Sequence, residues 1–253
     1  MNSPSAKETL VAGGGGRNGA MLFLAGLGAV SLIGLGFLPP IVQDPLYHAF
    51  ADQRTLCGVP HFWNVVSNLP FVFIGAAGLL RFRDATTFVL FVGIFLTGIG
   101  SSYYHLAPDD GTLFWDRLPM TIGFMALLAG AIGERTSTRA GVIVLGPLLA
   151  LGLFSLLLWR WTGDLRLYAW VQFYPCVALP ILYWLFPTTT GTSWLIGAAA
   201  VYFFAKVLEY SDIHVYSAIG ILSGHTFKHL AAAAACYAIL RYFSDRQPLA
   251  AAA

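Results

Sequence analysis

The stretch SGHTFKHL, residues 223–230, sets two imidazoles and an ammonium inside an otherwise apolar run. His225 and His229 are four residues apart, so on a helix they project from one face, one turn from each other. Two imidazoles so placed can chelate a transition metal. Thr226 follows His225 where the H-E-x-x-H metalloprotease motif needs a Glu, so a base must come from elsewhere. Taken alone, the pair also reads as two histidines hydrogen-bonded between helices.

Other polar residues widen the choice. TGIGSSYYHLAP carries Ser101 and His105, and FWDRLPM carries Asp116 and Arg117. Ionisable groups inside membrane spans are expensive and mark function by default. Three neutral imidazoles with an open fourth position form a catalytic zinc arrangement, and bound zinc brings the pKa of a water to about 7. His105, His225 and His229 are the candidate ligands. Asp116 is the candidate base, unless it is simply a helix N-terminal carboxylate favoured by the dipole. Ser101 lies one turn before His105 and can bond the attacking water or a developing oxyanion; it also reads as a small residue easing helix packing. Lys206 and Glu209 are expected to pair on one helix, and Lys228 to pair with Glu209 or Asp212. Asn64, Ser67 and Asn68 read as hydrogen-bond glue between helices. His48, His61 and His214 read as surface histidines.

The elements that must position these groups are membrane spans. The chain has 253 residues, 57% hydrophobic and 10% charged, against about 25% charged in soluble domains. Its mean hydropathy is +0.71. The composition predicts an all-α polytopic membrane protein, and a net charge of +2 gives no sign of nucleic-acid binding. The three cysteines form no disulfide framework or zinc motif. A span needs about 20 mostly apolar residues. Candidates fall near 19–41, 61–81, 86–106, 115–134, 139–160, 166–187, 192–210 and 217–242. The expected organisation is a disordered tail at 1–18, an added N-terminal span at 19–41 and an outer connecting segment at 42–60. A seven-helix core at 61–243 and a tail at 244–253 complete it. Span 19–41 reads as a retained anchor rather than a signal peptide, because FLPPIVQDP is a poor cleavage site.

With both termini inside, eight loop Lys and Arg residues face inward and four outward, the bias expected for cytoplasmic termini. His105, Asp116 and the 225/229 pair then fall toward the outer side. One tension appears: His229 would lie roughly 18 Å below a helix start at residue 217, deeper than His105.

GSSYYH, WDRLPM and GHTFKH together resemble the S-x-x-x-H, D and H-x-x-x-H signature of the alkaline ceramidase superfamily, which includes the adiponectin-type receptors. FWNVVSNLPF, residues 62–71, resembles the first core helix of the alkaline ceramidases. The resemblance covers residues 48–243. It implies a seven-helix intramembrane zinc amidase, with His105, His225 and His229 on zinc and Ser101 and Asp116 at the zinc-bound water. The implied substrate is a membrane lipid, ceramide or another N-acyl lipid, cleaved to a sphingoid base and a fatty acid. The animal enzymes carry an acidic calcium-binding segment and a Glu before F-W-N. Here His61 stands in the Glu position and Asp52 is the only carboxylate nearby, whereas calcium takes six to eight oxygens; no calcium site of that kind is expected. Two rivals stand beside the hydrolase: a receptor or sensor with a structural zinc, and a proton-coupled transporter using Lys206, Glu209 and the histidines.

Overall fold

The structure, a computed structural model, describes residues 14–249. Those residues form helices α1 (Gly14–Phe37), α2 (Phe62–Val66), α3 (Leu69–Arg81), α4 (Ala85–Leu106) and α5 (Asp110–Arg135). They continue with α6 (Thr138–Thr162), α7 (Arg166–Leu185), α8 (Thr192–Tyr210), α9 (Asp212–Ile219) and α10 (Gly224–Asp245). Among the described residues, β pairing is limited to isolated bridges. Five stretches are long and apolar enough to cross a membrane: Gly16–Phe37, Phe62–Arg81, Ala85–Leu106, Thr138–Thr162 and Thr192–Tyr210. The outer surface is apolar too, with Phe37, Leu80 and Trp161 exposed. Such a surface suits lipid rather than water.

Helix α1 begins five residues before the expected start at 19, so the end of the expected disordered tail is helical; residues 1–13 lie outside the described residues. Once an apolar segment has formed a helix, extension adds a hydrogen bond per residue, even through glycine. Tyr174 of α7 donates to the Leu24 carbonyl and Trp170 to Ser31, which dock α1 on the bundle.

The span expected over 61–81 is broken at Ser67 and Asn68. Pro70 has no N–H to give the carbonyl four residues back, and its ring crowds that turn. The backbone instead closes shorter turns, Asn68 N–H to Val65 O and Phe71 N–H to Asn68 O. This interruption turns Asn64, Ser67 and Asn68 into the interior, where all three are buried.

The last span is also redrawn. Residues 217–219 belong to α9, which ends at Gly220 with φ +73°, a left-handed conformation that glycine adopts without a Cβ clash. Ser223 then caps α10, its hydroxyl accepting from Thr226 N–H at 3.2 Å. Counted from Gly224, His229 is about 8 Å along the helix, not 18. The depth mismatch with His105 came from the helix start.

Helix α5 likewise starts at Asp110 rather than 115, with Asp109 and Thr112 forming a reciprocal cap. The Thr112 backbone N–H bonded to Asp109 holds that carboxyl below its ordinary pKa. Asp116 therefore sits well inside the helix, beyond the first turn where the dipole acts. Its helix-terminus role is taken by Asp109 and Asp110.

Candidate metal centre

The centre is assembled where α4 ends and where α5 and α10 begin. Helix α4 delivers Ser101 and His105 from one face, both buried. Its close approach to α5 depends on Gly100, where a Cβ would collide with the Trp115 carbonyl oxygen. That carbonyl lies four residues before Pro119, which cannot donate to it. Helix α10 delivers His225 and His229 in its first two turns, both 3% exposed. Asp212 fixes the approach: one carboxylate oxygen accepts from His225 N–H at 2.7 Å and the other from Ala51 N–H at 2.9 Å.

The three imidazole rings form a nearly equilateral triangle, with centroids 4.9, 4.9 and 4.8 Å apart. Their donor atoms all lie within 4.8 Å of one another. His105 Nε2 and His229 Nε2 are 3.3 Å apart. Two nitrogens at zinc–nitrogen bonds of about 2.0–2.1 Å, set tetrahedrally, would be separated by about 3.3–3.4 Å. The donor set fits zinc in number, type and spacing, without by itself selecting zinc over other metals that imidazole binds.

Ser67 is placed to support one tautomer of His229. Its hydroxyl donates to the Asn64 carbonyl at 3.2 Å, leaving an oxygen lone pair for His229 Nδ1, 2.8 Å away. In that arrangement His229 would carry its proton on Nδ1 and turn the Nε2 lone pair to the centre, the usual support given to a metal-binding histidine. Asn64 Oδ1 accepts from the Thr226 hydroxyl at 2.8 Å, tying α2 to α10. Asn64 and Ser67 bond across helices, as expected, whereas among the described residues the Asn68 side chain donates only to the Asn64 carbonyl; Ser67 also touches a candidate ligand. Its position in F-W-N-x-x-S-N was the available signal.

Phe50 was not foreseen. From the 42–60 segment its ring packs 4.6 Å from His105 and 4.5 Å from His225, setting an apolar ring against the histidine cluster. His48 and His61 are half-buried rather than on the surface. The His48 ring contacts Tyr104 OH at 2.9 Å, and His61 Nδ1 lies 2.9 Å from the His105 carbonyl. His214 is exposed. Asp52 spends both carboxylate oxygens on Arg54, which holds its pKa below the usual range.

Asp116 and Ser101 interact side chain to side chain, and with His229 they line a cavity of about 260 Å³. Most of its wall is apolar and includes Phe71, Leu90, Ile94, Phe124 and Leu179. Lys206 and Lys228 also reach it, and both pair with Glu209, at 2.5 and 2.7 Å. Tyr47 donates to the same carboxylate at 3.0 Å. The expected Lys206–Glu209 pair is present, and of the two partners considered for Lys228 it takes Glu209. All five sequence-predicted site residues are thus buried at one end of the bundle. No protein-family model matches the chain, and no curated protein matches it in sequence.

Proposed function

We propose that the chain is an intramembrane zinc-dependent lipid amide hydrolase of the alkaline ceramidase superfamily. Ceramide or a related N-acyl sphingolipid is the substrate, and a sphingoid base and a fatty acid are the products. The observation that carries this reading is a cluster of three buried imidazoles, one of which, His229, lines an apolar cavity together with Asp116 and Ser101. A lipid amide has a tail for such walls and a carbonyl for such a polar end. In this reading α2 with α3, α4 to α8, and α10 make a seven-span core, and α1 is an addition. The excess of Lys and Arg supports cytoplasmic termini and a site toward the outer side.

His105, His225 and His229 would hold the zinc. When bound, zinc supplies Lewis acidity, polarising a carbonyl and lowering the pKa of a water to about 7. Asp116, with no cation in ion-pair contact among the described residues, accepts a proton from water as the oxygen attacks the amide carbon. It passes that proton to the amine nitrogen as the C–N bond breaks. Ser101 keeps the Asp116 carboxylate turned into the cavity, and Ser67 keeps the His229 proton on Nδ1. Phe50 and the apolar wall exclude bulk water, which strengthens each of these electrostatic contacts.

The test is zinc content and fatty-acid release for the detergent-purified protein over a panel of N-acyl lipids. The expectation is about one zinc per chain and release from at least one lipid. Wild-type protein without zinc would sink the metal centre. Zinc without release from any lipid would favour the receptor.

A further inference from the structure

Arg117 is the cation at this site that has no counter-ion. The two cavity lysines share Glu209, but among the described residues no carboxylate lies within ion-pair distance of the Arg117 guanidinium. The residue is only 6% exposed. A guanidinium cannot shed its charge by deprotonation, and an unpaired buried charge is costly. Part of that cost is met by rings: its guanidinium carbon lies 4.5 Å from the Trp159 centroid and 4.8 Å from that of Tyr168. Nη2 donates to Gln43 Oε1 at 2.7 Å. Nη1 is buried and has no hydrogen-bond partner, and the side chain lines the same cavity as Asp116 and His229.

Arg117 is thus a caged cation with an unpartnered donor, on a side chain that lines a largely apolar cavity, a combination that suits an anion carried on a lipid. We propose that Arg117 binds the carboxylate of an acyl amphiphile. Two sources share this chemistry: the head group of an N-acyl amino acid, taken as a substrate besides the proposed sphingolipid, and the free fatty acid left by hydrolysis. The planar fork of arginine suits the two oxygens of a carboxylate. The inference rests on the lipid-binding reading of the cavity, but it needs binding alone and no turnover.

The test is equilibrium dialysis of the zinc-loaded, detergent-purified full chain. The probes are N-oleoylglycine with its methyl ester, and oleate with methyl oleate. The wild type should bind at least one acid about tenfold or more tightly than its ester, the size of a charge-assisted hydrogen bond. Arg117→Gln should abolish that preference while binding the ester unchanged. Preference confined to N-oleoylglycine assigns the cation to a substrate head group, and preference for oleate alone assigns it to the product. Equal binding of acid and ester by the wild type overturns the proposal, whether or not Arg117→Gln folds. Arg117→Lys keeps the charge but not the fork, and should retain a reduced preference. A preference fully kept by Arg117→Gln overturns it as well. Absence of amide hydrolysis would weaken the enzymatic reading and leave these ratios interpretable.

Discussion

Polar groups are buried at both ends of this bundle, and the two ends differ in what completes them. At the far end, Glu134 accepts hydrogen bonds from Tyr183 at 2.7 Å and Tyr242 at 3.0 Å, and pairs with Arg246. Neighbouring Arg135 stacks on Tyr183 at 4.0 Å and donates to the Phe186 carbonyl. Acid meets base there, although Arg135 Nε and Thr188 Oγ1 stay without hydrogen-bond partners. At the near end, three imidazoles aim at one another with no carboxylate among them. One ring nitrogen from each lies within 4.8 Å of the others, a spacing that a metal ion could bridge, and among the described residues the only cation at hydrogen-bonding distance from them is Lys228, 3.4 Å from His225 Nε2. One cluster is a clasp built from its own charges; the other is a socket.

The sharpest way to break this contrast is to remove one arm of the socket. His229→Ala should lower bound zinc from about one per chain to near zero and take turnover to background. Elemental analysis and fatty-acid release check both. Asp116→Asn probes chemistry apart from metal: zinc should stay, while turnover falls by about 10²–10⁴, the usual worth of a positioned base. If the variant keeps full turnover, the base lies elsewhere. Glu134→Ala addresses the clasp. It should leave zinc content unchanged and destabilise the fold by about 1–3 kcal/mol, as expected when a partly buried carboxylate that accepts two hydrogen bonds is removed. Unfolding in detergent measures it, and lost zinc with unchanged stability would reverse the assignment of the two ends. Ser67→Ala is gentler. Losing the hydrogen bond to a metal-binding histidine typically weakens metal binding by about 10–100-fold, which competition with a chelator would show.

How much of the socket was legible depended on whether the information was local. The spacing of His225 and His229 is a helical fact, and the Ser101–His105 spacing is another; both survive folding. The depth of the pair was not legible, because it depends on Gly220 ending one helix and Ser223 starting the next inside one apolar run. Asp116 could be mistaken for a helix-terminal carboxylate because the start of α5 was placed five residues late, past the Asp109–Thr112 cap. Ser67 and Phe50 were hidden for a different reason. Each meets the histidines only through tertiary packing, across 162 residues for Ser67 and His229. For Ser67 the family-like F-W-N-x-x-S-N stretch was the one signal, and that spacing alone does not point to a metal.

The smallest expected effect lies in the segment that carries Phe50 over the socket. Asp52 is 2% exposed, and both of its oxygens bind the Arg54 guanidinium, at 2.8 and 2.7 Å. Arg54 in turn donates to the Ile221 carbonyl, joining the segment to the turn before α10. The pairing holds the Asp52 pKa below its unfolded value. Its stabilising contribution is therefore complete above the ordinary aspartate range near 4 and fades as pH falls through the depressed folded value. Asp52→Asn should lower the unfolding midpoint at pH 7 by about 2–4 °C, the scale of one charged hydrogen bond in a chain of this size. The wild type should converge on the variant only under acid conditions. A difference that persists unchanged into strong acid would mean that Asp52 acts through shape, not charge. If the variant also leaves zinc exchange as slow as in the wild type, Phe50 covers the socket without help from this ion pair.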